Sequence, residues 1–151
     1  MATDGSWLSD DRERVMVLLA GQVCDEWGDP AHRRLVQTTC EFVRRAVSLL
    51  PTDDPRPRAI LSIVEGWAAG DHTITRDDLG RAADSADEAA ETMHHAPESV
   101  EWHYPAAYAV CCVATAASDY GSAAVEAAVD ALGLAGCAYR HFHGAERKIR
   151  G

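Results

Sequence analysis

The residues able to do chemistry in this chain are histidines, cysteines and carboxylates, and their spacing limits what they can do. Glu91-Thr92-Met93-His94 sets a carboxylate and an imidazole three residues apart, on one face of a helix. That is one part of a ferritin-like di-metal bundle, which needs two Glu-x-x-His motifs and two facing glutamates. A second motif is missing, since Glu146 meets Ile149 at the required offset. His103 follows beyond the Pro97 turn, and Cys111 or Cys112 would join it if the helices fold back on one another. A metal-binding bundle therefore rests on Glu91, His94, His103 and Cys111. Against it, the adjacent His94 and His95 leave a helix in different directions, and neither HExxH nor a compact Cys/His finger spacing occurs. Solvent-facing histidines are the plainer expectation.

Nucleophilic chemistry has less support. The five cysteines, at 24, 40, 111, 112 and 137, form no CxxC pair, and an odd count argues against a secreted disulfide framework. Cys111-Cys112 sits in an apolar stretch and reads as a pair of inert core thiols. The acid pairs Asp53-Asp54, Asp77-Asp78 and Asp87-Glu88 fall where turns and helix starts account for them electrostatically. No glycine-rich phosphate loop is present. The expectation is a protein that is not an enzyme, with no catalytic residue and no cofactor.

Binding is the better-supported class. Trp102-His103-Tyr104 cluster ahead of Pro105, and Trp67 closes the stripe that leads from a charged, proline-rich corner holding Asp54, Arg56 and Arg58. Tryptophan, tyrosine and arginine together make a protein-binding hot spot. A small-molecule pocket lined by Trp67, Trp102 and Tyr104 is the alternative. Core packing competes with both roles, most of all for Trp67.

The elements that must position these residues read as helices throughout. Ser9 or Asp10 opens a first helix that Gly28-Asp29-Pro30 ends, with Trp7 just ahead of it. Val36, Cys40, Val43, Val47 and Leu50 then trace one stripe of a helix over Ala31 to Leu50. The stretch from Pro51 to Ile60 turns the chain and opens a third helix, in which Ile60, Val64 and Trp67 recur at i, i+4 and i+7 until Gly70 stops it. Thr75 and Asp78 form a capping-box pattern ahead of Leu79, Ala82, Ala86, Ala90 and Met93, with acids on the opposite face. Pro105 opens a helix that Gly121 weakens but need not end. Ala123 to Leu132 is helical, Gly133-Leu134-Ala135-Gly136 interrupts, and Cys137 to Lys148 forms a last helix. The expectation is all-α: a compact bundle of six or seven helices in a single domain over 7–149. No sequence signature recurs at a fixed period, which argues against a solenoid.

Asp and Glu number 24 against 14 Lys and Arg, a formal charge of −10 that repels nucleic acid and anionic membranes. The basic exception is the tail, with Arg140, Arg147, Lys148 and Arg150. The N-terminus lacks a signal-peptide pattern, and the run Val15 to Ala20 is too short for a bilayer, so a cytoplasmic location is expected. Alanine-faced helices leave a homodimer open.

The corner carries a resemblance. A cysteine-bearing helix, then Leu49-Leu50-Pro51, Asp53-Asp54, Arg56-Pro57-Arg58, Ala59-Ile60, Trp67 and Gly70, resembles the bacterial immunity proteins called Imm-5-like. The likeness runs from about Ala31 to Tyr139, and its specific part is some twenty residues. It carries over onto Cys40, Asp54, Arg56, Pro57, Ala59, Ile60, Trp67 and Gly70. It implies a small helical domain that neutralises a toxin, without catalytic residues or cofactor. Cys111-Cys112 and Trp102-His103-Tyr104 depart from the alanine-rich sequence that the family favours there. With the acidic surface added, the expected partner is a protein, namely a basic toxin.

Overall fold

The computed structural model describes residues 26–150, with the side chain of the last excepted. The helix expected from Ser9 or Asp10, and Trp7 before it, lie outside the described residues. Five helices follow in order: α1 Pro30–Val47, α2 Arg56–Ala68, α3 Arg76–His95, α4 His103–Ser118 and α5 Gly121–Arg150. The described residues are all-α as expected, but they form five helices, which corrects the count of six or seven.

Part of that correction lies in the C-terminal half. The break expected at Gly133-Leu134-Ala135-Gly136 does not occur; one 30-residue helix runs through it. Ala128, Ala131, Leu132, Ala135 and Ala138 are all buried where α5 packs along α1 and α4. Tertiary burial outweighs the weak helix propensity of two glycines. The break falls instead at Gly121, whose φ of 65° lies in the left-handed region that alanine-type residues avoid. Asp119 and Tyr120 leave α4, Gly121 reverses the chain, and α5 returns along α4. By length and apolar composition α5 would reach across a bilayer, as a long core helix also does.

The other ends follow local rules. Asp29 caps α1 by accepting from the His32 amide at 2.7 Å, with Pro30 at the first helical position. Thr75 and Asp78 form the capping box of α3 reciprocally, at 3.1 and 2.9 Å. Gly70, at φ 110°, closes α2. α4 begins two residues before Pro105, because a proline in the first turn removes a donor that has no intrahelical partner anyway.

α4 is the axis of the bundle and packs against each of the other four helices. Its composition explains the position. Ala106, Ala107, Ala109, Val110, Val113, Ala114, Ala116 and Ala117 are buried on every side, and a helix apolar all round belongs in a core. The expected stripe of α1 faces inward in full, with Val36, Cys40, Val43, Val47 and Leu50 all buried.

Candidate functional site

The proline corner is held by two arginines with different duties. Asp54 Oδ1 accepts the Arg56 amide at 3.0 Å, and the same carboxylate takes a two-pronged contact from the Arg56 guanidinium, closing at 2.8 Å. That guanidinium holds the Asp54 carboxyl below the usual carboxylate range. Arg58 turns the other way. Its fork donates to the carbonyls of Leu50 at 2.8 Å, Pro51 at 3.0 Å and Val47 at 3.2 Å, clamping the end of α1. Val47 ends α1 and its carbonyl also accepts the Leu50 amide at 3.0 Å, while Leu50 and Pro51 lie in the turn beyond, so Arg58 ties that turn to the helix end, where a cation complements the helix dipole. Arg58 is thereby committed to the scaffold, whereas Asp54 and Arg56 stay partly accessible.

Beside the corner lies a cleft of about 390 Å³, floored by Pro51, Met93 and Ala96 and edged by Asp53, Asp54, Glu98 and His103. Burial pushes the His103 imidazole down, with Asp53 opposing. A second cleft, of about 480 Å³, opens on the far side of the same turn, between Val100 to Trp102 and the last turns of α5. Ser99 borders both, so the turn over 97–102 is a ridge between them.

The aromatic triplet splits across this ridge. The half-buried Trp102 donates from Nε1 to the Leu49 carbonyl at 3.3 Å and meets Phe142 edge-on at 5.3 Å, so it ties the corner to α5. Tyr104 faces α3, where its ring lies 4.7 Å from His94, and it stacks on Tyr108 at 5.5 Å. Burial, with the nearby Glu91 charge, pushes the Tyr104 hydroxyl up. Trp67 belongs to neither group. It is fully buried and packs against His32, whose ring bonds Ala116 at the opposite end of α4 from Trp102. Fourteen helical residues separate Trp102 from Ala116, about 21 Å along the axis. Trp67, Trp102 and Tyr104 therefore do not line one pocket.

The metal alternative is also dispersed. Among the described residues no three His, Cys, Asp or Glu side chains gather as a metal site requires. Glu91 approaches His95 at 3.5 Å, His94 packs on Tyr104, and His103 sits edge-on to Trp102 while its Nδ1 faces the Val100 amide at 3.4 Å. Cys111 is half-buried, with burial pushing its thiol up, and the Cys112 thiol is pushed up to about 12 for the same reason.

The sequence reading missed the most constrained polar group in the described chain. His32 is fully buried; its Nδ1 accepts from the Gly28 amide at 2.9 Å and its Nε2 meets the Ala116 carbonyl at 2.7 Å. Because an amide can only donate, Nδ1 carries no proton and Nε2–H is the donor. Around it Trp27 donates to the Ala117 carbonyl at 2.8 Å and Arg76 to Ser118 at 2.7 Å. Three carbonyls at the end of α4 are thus capped by side chains from two segments, the stretch 27–32 and the first turn of α3. Arg33 completes the cluster, its guanidinium 4.7 Å from the Trp67 ring centroid and donating to the Gly28 carbonyl at 3.0 Å. His32 follows Asp29-Pro30 by two residues, a position that marks a helix start but not a buried cap for another helix.

Compared with protein-family models, with curated proteins and with solved structures, the chain matches none.

Proposed function

We propose that this chain is a non-catalytic binding protein of the immunity type, which neutralises a basic toxin by covering part of its surface with an acidic helical face. One observation carries the reading: Asp84, Asp87, Glu88 and Glu91 of α3 are all exposed and recur at i, i+3, i+4 and i+7. That spacing makes a single stripe of carboxylates along the outer face of the helix. At its C-terminal end the stripe meets the corner cleft, where Asp53 and Glu98 are exposed and Asp54, paired with Arg56, lies at the edge. A row of like charge on a rigid helix steers a cationic partner, speeds encounter and fixes its register. The likeness of the corner to bacterial immunity proteins supports the same reading, with a cytoplasmic site of action.

The test is co-expression with toxic proteins encoded beside the gene, in cells that such a toxin kills. The unaltered chain is expected to protect and to co-purify with a basic toxin. The triple reversal Asp84→Lys, Asp87→Lys, Glu88→Lys should slow association at low salt and remove protection while leaving the fold intact. Unchanged protection by the reversed variant would overturn the proposal, as would failure to protect against any neighbouring toxin.

A further inference from the structure

We propose that the 390 Å³ cleft beside the proline corner seats one arginine side chain of the basic partner, an inference that rests on the toxin-binding reading and deepens it. The acidic stripe of α3 runs up to this cleft, so a cationic protein drawn along the stripe brings its side chains to the mouth. Pro51, Met93 and Ala96 make an apolar floor. Such a floor suits the methylene stem of a long side chain, which covers apolar surface while its charged head reaches polar atoms. Asp53 and Glu98 stand at the edge, one on the corner and one on the turn after α3, and both are exposed.

The groups at the edge decide what the cleft takes. Asp54 is already paired with Arg56, so its charge is met. The Thr92 hydroxyl donates to the Glu88 carbonyl at 2.9 Å and is occupied within α3. Burial holds the His103 imidazole below its ordinary 6.5, so at pH 7 it is a neutral wall. Asp53 and Glu98 remain, and among the described residues neither forms an ion pair. Two carboxylates are too few for a metal ion, and no three metal-ligating side chains gather among the described residues. A guanidinium fits better. It is always charged, its five N–H donors can serve both carboxylates, and its weak hydration makes a partly apolar cleft less costly to enter than it is for an ammonium. The same corner shows the pairing within the chain, where Asp54 takes the Arg56 fork in two prongs. An arginine anchored in a pocket is a common centre of a protein-binding hot spot.

The probes are N-acetyl-arginine amide, which offers the side chain with its backbone charges blocked, its neutral isostere N-acetyl-citrulline amide, and free arginine. Each is titrated at pH 7 into the full chain and followed by amide chemical shifts. N-acetyl-arginine amide is expected to shift Asp53, Met93, Glu98 and His103 saturably, with a Kd on the order of 1 mM for so small a ligand. The citrulline probe should bind at least about tenfold more weakly, since it lacks the charge. The double variant Asp53→Asn, Glu98→Gln, at exposed positions, should keep its melting temperature, weaken the arginine probe at least about tenfold and leave the citrulline probe unchanged. Free arginine should bind no more tightly than the blocked form, because the cleft reads a side chain. Equal binding of the charged and neutral probes, shifts that map elsewhere, absence of saturation, full affinity in the double variant, or much tighter binding of free arginine would each overturn the proposal. The titration needs no toxin and so is separate from protection. Charge-dependent arginine binding at the cleft upholds the pocket even where the chain protects against nothing, and its absence removes the pocket even where the chain protects.

Discussion

Replacing His32 by glutamine probes the group on which the end of α4 depends. In the native protein the ring is neutral, with Nδ1 accepting from Gly28 and Nε2–H donating to Ala116. Protonation would set a second N–H against the Gly28 amide and put a charge into a buried site. Arg33 and Arg76 oppose that charge and Asp29 partly offsets them, so burial above all holds the imidazole below its ordinary 6.5. The sign follows. The unfolded chain takes up the proton first, so stability is complete above 6.5 and is lost as pH falls towards the lower folded value. The slope reaches about 1.4 kcal/mol per pH unit, so acidification from pH 7 to 5 costs at most about 2 kcal/mol through this group. His103 is depressed as well, so both proteins are compared on a His103→Gln background. Asp29, Asp54, Asp71 and Asp78, all lowered from 3.8, act in a separate window below that value, where their stabilisation is lost on protonation.

Glutamine at 32 keeps a donor for Ala116 but leaves the Gly28 amide without its acceptor and loses the ring contact with Trp67 at 5.0 Å. At pH 7 that should cost about 2–3 kcal/mol, the range for one orphaned buried donor plus lost packing. Urea denaturation at pH 7, 6 and 5 checks both parts. The parent should lose stability on acidification, the variant should be nearly flat, and the gap between them should narrow. A parent that is flat from pH 7 to 5, or a variant that loses as much, would refute the neutral buried tautomer.

Further expectations rest on single contacts. Arg58→Ala removes the fork that holds three carbonyls at the end of α1 and should cost about 1–3 kcal/mol in urea denaturation; Arg58→Lys should recover only part, because an ammonium cannot span the same fork. Gly121→Ala and Gly144→Ala should move melting temperature in opposite directions. The first forces a left-handed φ of 65° and costs about 1–2 kcal/mol, while the second fills open space in a helix interior and gains about 0.5–1 kcal/mol. Cys40, 2% exposed and with its thiol raised well above normal by burial, should be labelled by a thiol reagent only at the rate of global unfolding. Labelling of Cys40 faster than unfolding would contradict its place in the core.

What the sequence determined by itself is what depends on neighbours a few residues away. The inward stripe of α1, the capping box at Thr75 and Asp78, the stop at Gly70 and the turn after Leu50 all follow from helical periodicity and the orphaned groups at helix ends. Whatever depends on distant neighbours was decided by the tertiary structure. Gly133 and Gly136 read as a break, yet burial of Ala131, Leu132 and Ala135 carries α5 through them, and the chain turns at Gly121 instead. Trp67 and Trp102 have the composition of one patch, but α4 lies between them. Glu91, His94, His103 and Cys111 have the donor types for a metal, but packing sends them to different neighbours. His32 reads as an ordinary residue in the first turn of a helix. It becomes a buried, neutral cap only because α4 ends beside it, with Ala116 presenting a carbonyl 84 residues away in the chain. Local rules set where helices begin and end; which unpaired groups those ends bring together depends on how the helices pack.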